Sequence, residues 1–136
     1  MKALTLTQPY ATAVALGIKR VETRSWRTNY RGELAIHAAI GFPRWARDFR
    51  MTELALGRGA ARIPRGAVVA IVQLVDCRRV EEVAIEISQD DPQRWGIEHL
   101  YGDYSPGRWA WVLADVEPLA EPVCVKGALG LWEWKR

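Results

Sequence analysis

The sequence predicts an α+β fold: a small β-barrel with flanking helices. Three observations lead there. Short stretches of apolar alternation recur along the chain, two or three helical stretches interrupt them, and 136 residues suit a single core. Strands of this length need their edges managed, and a small closed barrel with helices packed outside it does so. No internal repeat, low-complexity tract or linker breaks the chain, so residues 1–136 read as one domain.

The elements follow in order. Leu4 and Leu6 alternate with Thr5 and Thr7 as a first strand. Pro9 suits the first turn of a helix and Gly17 its end, which places a helix over about residues 9–16. Residues 19–26 are too charged for a buried strand and read as an extended segment along a rim. Asn29–Gly32 forms a turn, and Glu33–Ala39 a strand with Leu34, Ile36 and Ala38 on one face. Pro43 opens a second helix that Gly57 closes, carrying Trp45, Phe49 and Leu56 at helical spacing. After a loop over 57–66, Ala67–Val75 is the most apolar strand and belongs at the centre of the sheet. Residues 80–87 have an ambiguous period, while Asp91-Pro92 starts a helix that ends near Gly102. Arg108–Val116 is a strand, followed by short ones at Val123–Val125 and Leu131–Trp134, whose tryptophans clamp the barrel.

Composition narrows the function classes. Hydrophobic residues make up 49% and charged residues 26%, a globular balance. No apolar run is long enough to cross a bilayer, and the first residues lack the pattern of a signal peptide, so the expectation is a cytoplasmic protein without a membrane partner. Cys77 and Cys124 are expected to be buried thiols with no disulfide partner. His37 and His99 have no zinc-like spacing to either, and the sequence points to no metal or other cofactor. Charge is unevenly divided: residues 1–65 carry a net +8 and residues 66–136 a net −5. Fifteen of the nineteen basic residues are arginine, whose planar fork suits phosphates and base edges. With seven tryptophans, this leans toward a nucleic acid or nucleotide.

Two segments concentrate the chemistry. In Gly17-Ile18-Lys19-Arg20-Val21-Glu22-Thr23-Arg24-Ser25-Trp26-Arg27, an extended backbone puts Arg20, Glu22, Arg24 and Trp26 on one face and Lys19, Val21 and Thr23 on the other. A turn at 18–20 is needed to bring Lys19 to Glu22. The pair is then either a surface ion pair or, in a partly dry cleft, a lysine beside a carboxylate for proton transfer. Lys19 and Arg24 lie outside any core stripe, so alanine at either is expected to leave the fold nearly intact. In Tyr101-Gly102-Asp103-Tyr104-Ser105-Pro106-Gly107-Arg108-Trp109, Pro106-Gly107 fits the centre of a type II turn that presents Tyr104, Ser105 and Arg108. This is either a nucleotide-reading set or a hairpin corner with Tyr104 and Trp109 as core. His37, on a strand with no Ser or Cys partner in view, reads as a satisfied, half-buried histidine.

Leu4-Thr5-Leu6-Thr7-Gln8-Pro9-Tyr10-Ala11, then residues 17–26 and Arg31-Gly32-Glu33-Leu34-Ala35-Ile36-His37-Ala38, resemble the ASCH family of the PUA-like superfamily. The likeness returns at 66–76, 104–111 and 126–134. It implies a PUA-like β-barrel with helices around it, a cleft lined by the Gly-x-Lys-x-x-Glu-x-Arg segment, and RNA or other single-stranded nucleic acid as ligand. On that reading Lys19, Arg24, Arg27 and Arg108 contact phosphates, while Tyr10, Trp26 or Tyr104 stacks on a base. Some relatives are hydrolases that deacetylate N4-acetylcytidine or cleave RNA. The amidohydrolase-type members match at the glycine, Lys19 and Arg24, but carry a threonine nucleophile where Glu22 stands here. The alternative is therefore a hydrolase on a modified nucleoside or RNA, with Lys19 as base and Glu22 or Ser105 assisting.

Overall fold

The computed structural model describes residues 1–44 and 63–136. The Leu4/Leu6 alternation forms β1 (Lys2–Leu6), and after a cis Gln8–Pro9 bond comes α1 (Tyr10–Ala15). The Gln8 side chain caps α1: its Oε1 accepts from Thr12 N–H at 3.0 Å, and its amide donates to Thr12 Oγ1 and Pro64 O. Gly17 ends the turn at φ +75°, a left-handed conformation that favours glycine. Strands β2 (Val21–Arg24) and β3 (Gly32–Ala38) follow. The predicted helix over 43–57 and most of the loop after it lie outside the described residues.

The chain continues with β4 (Ala67–Arg79), α2 (Val80–Asp90), α3 (Pro92–Leu100), β5 (Trp109–Cys124) and β6 (Leu131–Glu133). The ambiguous 80–87 stretch is a helix, longer than predicted. Asp91 caps α3 by accepting from Arg94 N–H, with Pro92 in the first turn. Val123 and Cys124 are not a separate strand but the far end of β5, where they pair with Val68 and Ala67.

These strands form one sheet in the order β2-β5-β4-β3-β1-β6 among the described residues. Among the described residues, only the β1/β3 pair is parallel. The long β4/β5 ladder shifts register three times, between Val68/Ala70, Ile71/Gln73 and Leu74/Asp76. Such irregularities bend and twist a ribbon, so the sheet curls into a half-barrel. Asp115 lies at φ +49° within the second shift, between the partners Ala114 and Glu117, a conformation aspartate tolerates better than most residues. Among the described residues the two sheet ends, β2 and β6, do not pair with each other, and no strand closes the barrel along that side.

Strand alternation sorts residues onto two faces. Leu34, Ile36, Val72, Leu74, Trp111 and Leu113 turn inward and bury against Ala11 and Val14 of α1. Val21 and Ala110 face the other way and pack on Val80, Val83 and Ile87 of α2. Ala3, Ala35, Val68 and Ile71 pack with Trp134, whose backbone ties the C-terminal strand to Met1. Trp134 thus clamps as predicted. His37 is fully buried rather than half-buried, with Nδ1 on Thr5 Oγ1 and Nε2 on Val125 O. The buried-thiol reading of the cysteines is corrected: Cys77 is half-buried and Cys124 exposed, because the end of β5 runs out beyond the core. Both are free thiols.

Leu34→Ala should cost about 2–5 kcal/mol through the cavity it leaves at the centre of the inner cluster. Ile85→Ala, on the exposed side of α2, should change stability by about 0.5 kcal/mol or less. Urea unfolding of both variants checks the assignment of faces.

Candidate functional site

Strand β2 is short and highly polar, yet three of its four residues are buried, contrary to the rim segment expected from its charge. The reason lies in its neighbours. On one side β2 pairs with β5, Glu22 opposite Trp111 and Arg24 opposite Trp109. On its other edge the backbone groups are taken by side chains. Val21 N–H donates to Glu98 Oε1, Val21 O accepts from Lys19 Nζ at 2.7 Å, and Thr23 O accepts from Arg108 Nη2 at 3.1 Å. Two cations and a carboxylate therefore cover an edge that would otherwise be open for pairing.

Lys19 reaches Glu22 through the turn at the end of α1, where Ile18 and Lys19 N–H both donate to Ala13 O. Its ammonium, 1% exposed, also donates to Tyr101 O at 2.7 Å and lies 3.4 Å from Glu22 Oε1. The three N–H groups of the ammonium thus have three acceptors. Of the two readings left open by the sequence, the exposed surface ion pair is excluded. The expectation that Lys19 lies outside the core is likewise corrected, because the turn folds its side chain under β2.

Glu98 of α3 is the residue the sequence reading missed. It is completely buried and accepts from Arg20 N–H at 2.9 Å and from Val21 N–H, with Arg94 at 3.5 Å. Burial pushes its carboxyl pKa up, against the opposing pull of the Arg20 N–H and the Lys19 charge. A signal was present: Glu98 stands three residues after Trp95, on the side of α3 that turns inward.

Above this buried layer lies a cleft of about 390 Å³. Its walls come from the end of β1 (Thr5, Leu6), the segment leading into α1 (Thr7) and its first residue (Tyr10), β2 (Glu22–Arg24), the end of α3 and the following turn (Leu100–Asp103), and Arg108. Arg24 spans the open side of the half-barrel: Nη2 donates to Thr5 O at 2.8 Å and Nε to Glu22 Oε2 at 3.0 Å. Arg108 donates from Nε to Asp103 O, while Asp103 N–H donates to Thr23 Oγ1. Burial, and then the Glu22 charge, push the Tyr10 phenol pKa up.

The other predicted site residues fall elsewhere. Trp26 packs edge-on against Trp111, 4.7 Å between centroids, and belongs to the core margin. Tyr104 packs edge-on against Trp95 at 4.8 Å with its hydroxyl buried, and that burial pushes its pKa up; it is the hairpin-corner core residue of the two alternatives. Pro106-Gly107 does form the turn, with Gly107 at φ +87° and Arg108 N–H donating to Ser105 O. Ser105 turns its hydroxyl onto Asp103 Oδ1 and does not line the cleft; together with the Ser105 N–H, this holds the Asp103 carboxyl below the usual carboxylate range. Arg27 is exposed, over the Trp109 ring. Of the predicted set, Tyr10, Glu22, Arg24 and Arg108 line one cleft, with Lys19 immediately beneath Glu22. Among the described residues no three His, Cys, Asp or Glu side chains are arranged to hold a metal ion, and no helix is long and apolar enough to cross a membrane.

An α+β half-barrel with a polar cleft over a buried ion pair defines the class of protein. The chain belongs to the ASCH domain family, whose model matches residues 4–123. A 97-residue stretch is 36% identical to activating signal cointegrator 1 of Mus musculus, and 96 residues are 34% identical to the Homo sapiens protein. Each match takes in 64% of this chain but only 16% of the relative, so the chain spans about one sixth of the length of these proteins. The crystal structure of ASCH from Zymomonas mobilis superposes with a TM-score of 0.57 over 99% of this chain and 87% of that one, at 16% identity. Its S128A mutant gives a TM-score of 0.55 at 20% identity. These structures share the fold.

Two predictions test the site. Lys19→Met should cost about 3–5 kcal/mol in urea unfolding, because it strips a buried carboxylate and two carbonyls of their cation; a loss below about 1 kcal/mol would contradict the buried-cation account. In a carboxyl-carbon NMR titration, Asp103 should have its midpoint below the ordinary aspartate value. Ser105→Ala should move it upward by removing the hydroxyl donor.

Proposed function

We propose that this domain binds single-stranded RNA, with one base held in the cleft between Tyr10, Glu22, Arg24 and Arg108. The observation that carries the reading is the combination on one wall: an aromatic ring, a carboxylate held by two cations, and two partly exposed guanidiniums around a nucleoside-sized space. Glu22 has one oxygen toward Lys19 and the other toward Arg24, and an ionised carboxylate has about four lone-pair sites, so it retains capacity for an amino or imino N–H of a base. Arg24 and Arg108 each keep N–H groups beyond those bonded to the protein, and these suit sugar or phosphate oxygens. Tyr10 supplies the stacking surface. In this reading Lys19 is a positioning residue that fixes Glu22, rather than a phosphate contact. Trp26 and Tyr104 support the core.

A second reading is hydrolysis of a modified nucleoside such as N4-acetylcytidine, or of RNA. The observation favouring it is Glu22, which opens into the cleft beside the Lys19 ammonium and could move a proton while the cations steady developing negative charge. Ser105, engaged by Asp103 outside the cleft, has no part in that arrangement.

Fluorescence anisotropy with short single-stranded RNA and DNA at several salt concentrations tests the first reading. Log K should fall against log salt with a slope of about −0.7 per phosphate contact. Tyr10→Ala should weaken RNA binding by about 1–3 kcal/mol through lost stacking. Absence of binding at low salt sinks the proposal. Incubating the protein with N4-acetylcytidine and with RNA, followed by chromatography, tests the second; substrates that survive intact remove it.

A further inference from the structure

Beside the cleft is a second cluster that its walls do not include. Trp109 opens β5, where register places it opposite Arg24 of β2 on one side and Arg79 of β4 on the other. Directly paired residues point to the same face with Cβ atoms about 5 Å apart. The indole therefore lies between an arginine that lines the cleft and one that does not. The Arg79 guanidinium carbon sits 4.5 Å from the Trp109 ring centroid, and that of Arg27 lies 5.8 Å from the same centroid. Both arginines are exposed.

Most other arginines near this site are committed. Arg24, Arg78, Arg94 and Arg108 all pair with carboxylates. Among the described residues, the side chains of Arg27 and Arg79 form neither an ion pair nor a hydrogen bond. Glu81, whose charge Arg79 feels, gives its Oε1 to the Gly107 N–H. Two like charges are thus gathered at one aromatic ring without an anion between them. Contact with the indole restrains each flat guanidinium and leaves its N–H edge to donate, the geometry in which arginine takes a phosphate with two parallel hydrogen bonds.

We infer that Arg27, Arg79 and Trp109 form a phosphodiester-binding shelf that carries a nucleic-acid strand onward from the base in the cleft. The inference rests on the cleft reading for the identity of the polyanion. It adds that the ligand is a strand and not a free nucleoside, because the shelf is one strand-spacing beyond the cleft wall and a nucleoside has no phosphate to place there.

The test uses the full chain and the double variant Arg27→Gln/Arg79→Gln. The probes are a fluorescein-labelled single-stranded RNA octamer and the four unlabelled ribonucleosides. The double variant should bind the octamer about tenfold more weakly at low salt, with the log K–log salt slope flattened by about 0.7 for each lost contact. Nucleoside binding, followed by ligand-observed NMR, should match wild type. An unchanged octamer affinity and slope overturns the shelf while the cleft reading stands, as does wild-type protein that binds a nucleoside but not the octamer. Equal loss of octamer and nucleoside also overturns it, by showing that the substitutions act through the cleft. If Glu22→Gln and Tyr10→Ala leave octamer binding intact while the double variant weakens it, the shelf holds and the cleft reading falls. A glutamate octapeptide that displaces the RNA as well as unlabelled octamer does would overturn the phosphate assignment in favour of an acidic peptide.

Discussion

A buried ammonium and a buried carboxylate organise the working half of this domain. Lys19 sits below β2 with two carbonyls and Glu22 around it, and Glu98 of α3 receives the N–H groups of Arg20 and Val21. Removing both charges from water is costly and is recovered only if every donor and acceptor around them is met. That condition restricts where the chain from 18 to 24 can run. The turn after α1, the outer edge of β2 and the end of α3 must converge on the same few atoms. The cleft is the space above that convergence, and Glu22 faces it because Lys19 and Arg24 hold its two oxygens from below and from the side.

The half-barrel supplies the frame. Register shifts in the long β4/β5 ladder curl the sheet, so that β1 and β2, far apart in strand order, come within reach of one arginine across the open side. A closed barrel would place a strand there. Leaving it open creates the concavity, and the cost of an open sheet edge is met by polar side chains. Lys19 and Arg108 bond the outward carbonyls of β2, which makes edge protection and site construction the same set of contacts.

The ASCH family to which the chain belongs matches residues 4–123, while the cointegrators, 34–36% identical over the matched stretch, have only 16% of their length in that match. What passes between them is the domain, and the chemistry has to be read from the cleft itself. There the arginines divide into two kinds. Those facing the cleft are tied to carboxylates or backbone and shape it; those over Trp109 have no such tie among the described residues, and keep their donors for an outside anion.

Periodicity alone settled the local features. The inward stripe of Leu34, Ile36 and Ala38, the apolar run of β4, the Asp91-Pro92 helix start and the Pro106-Gly107 turn all follow from side-chain alternation, capping and backbone preference, which act over a few residues. Of the motif over Gly17–Arg24, residues Glu22, Thr23 and Arg24 line the cleft. Tertiary structure decided what each residue does there. The burial of Lys19 under Tyr101 and the packing of Trp26 on Trp111 at the core margin depend on partners 82 and 85 residues away. The same holds for Glu98, an ordinary helix residue in sequence and the carboxylate on which β2 hangs in space. A charged side chain reads as exposed until a complementary group is brought to it, and only folding of the whole chain brings it there.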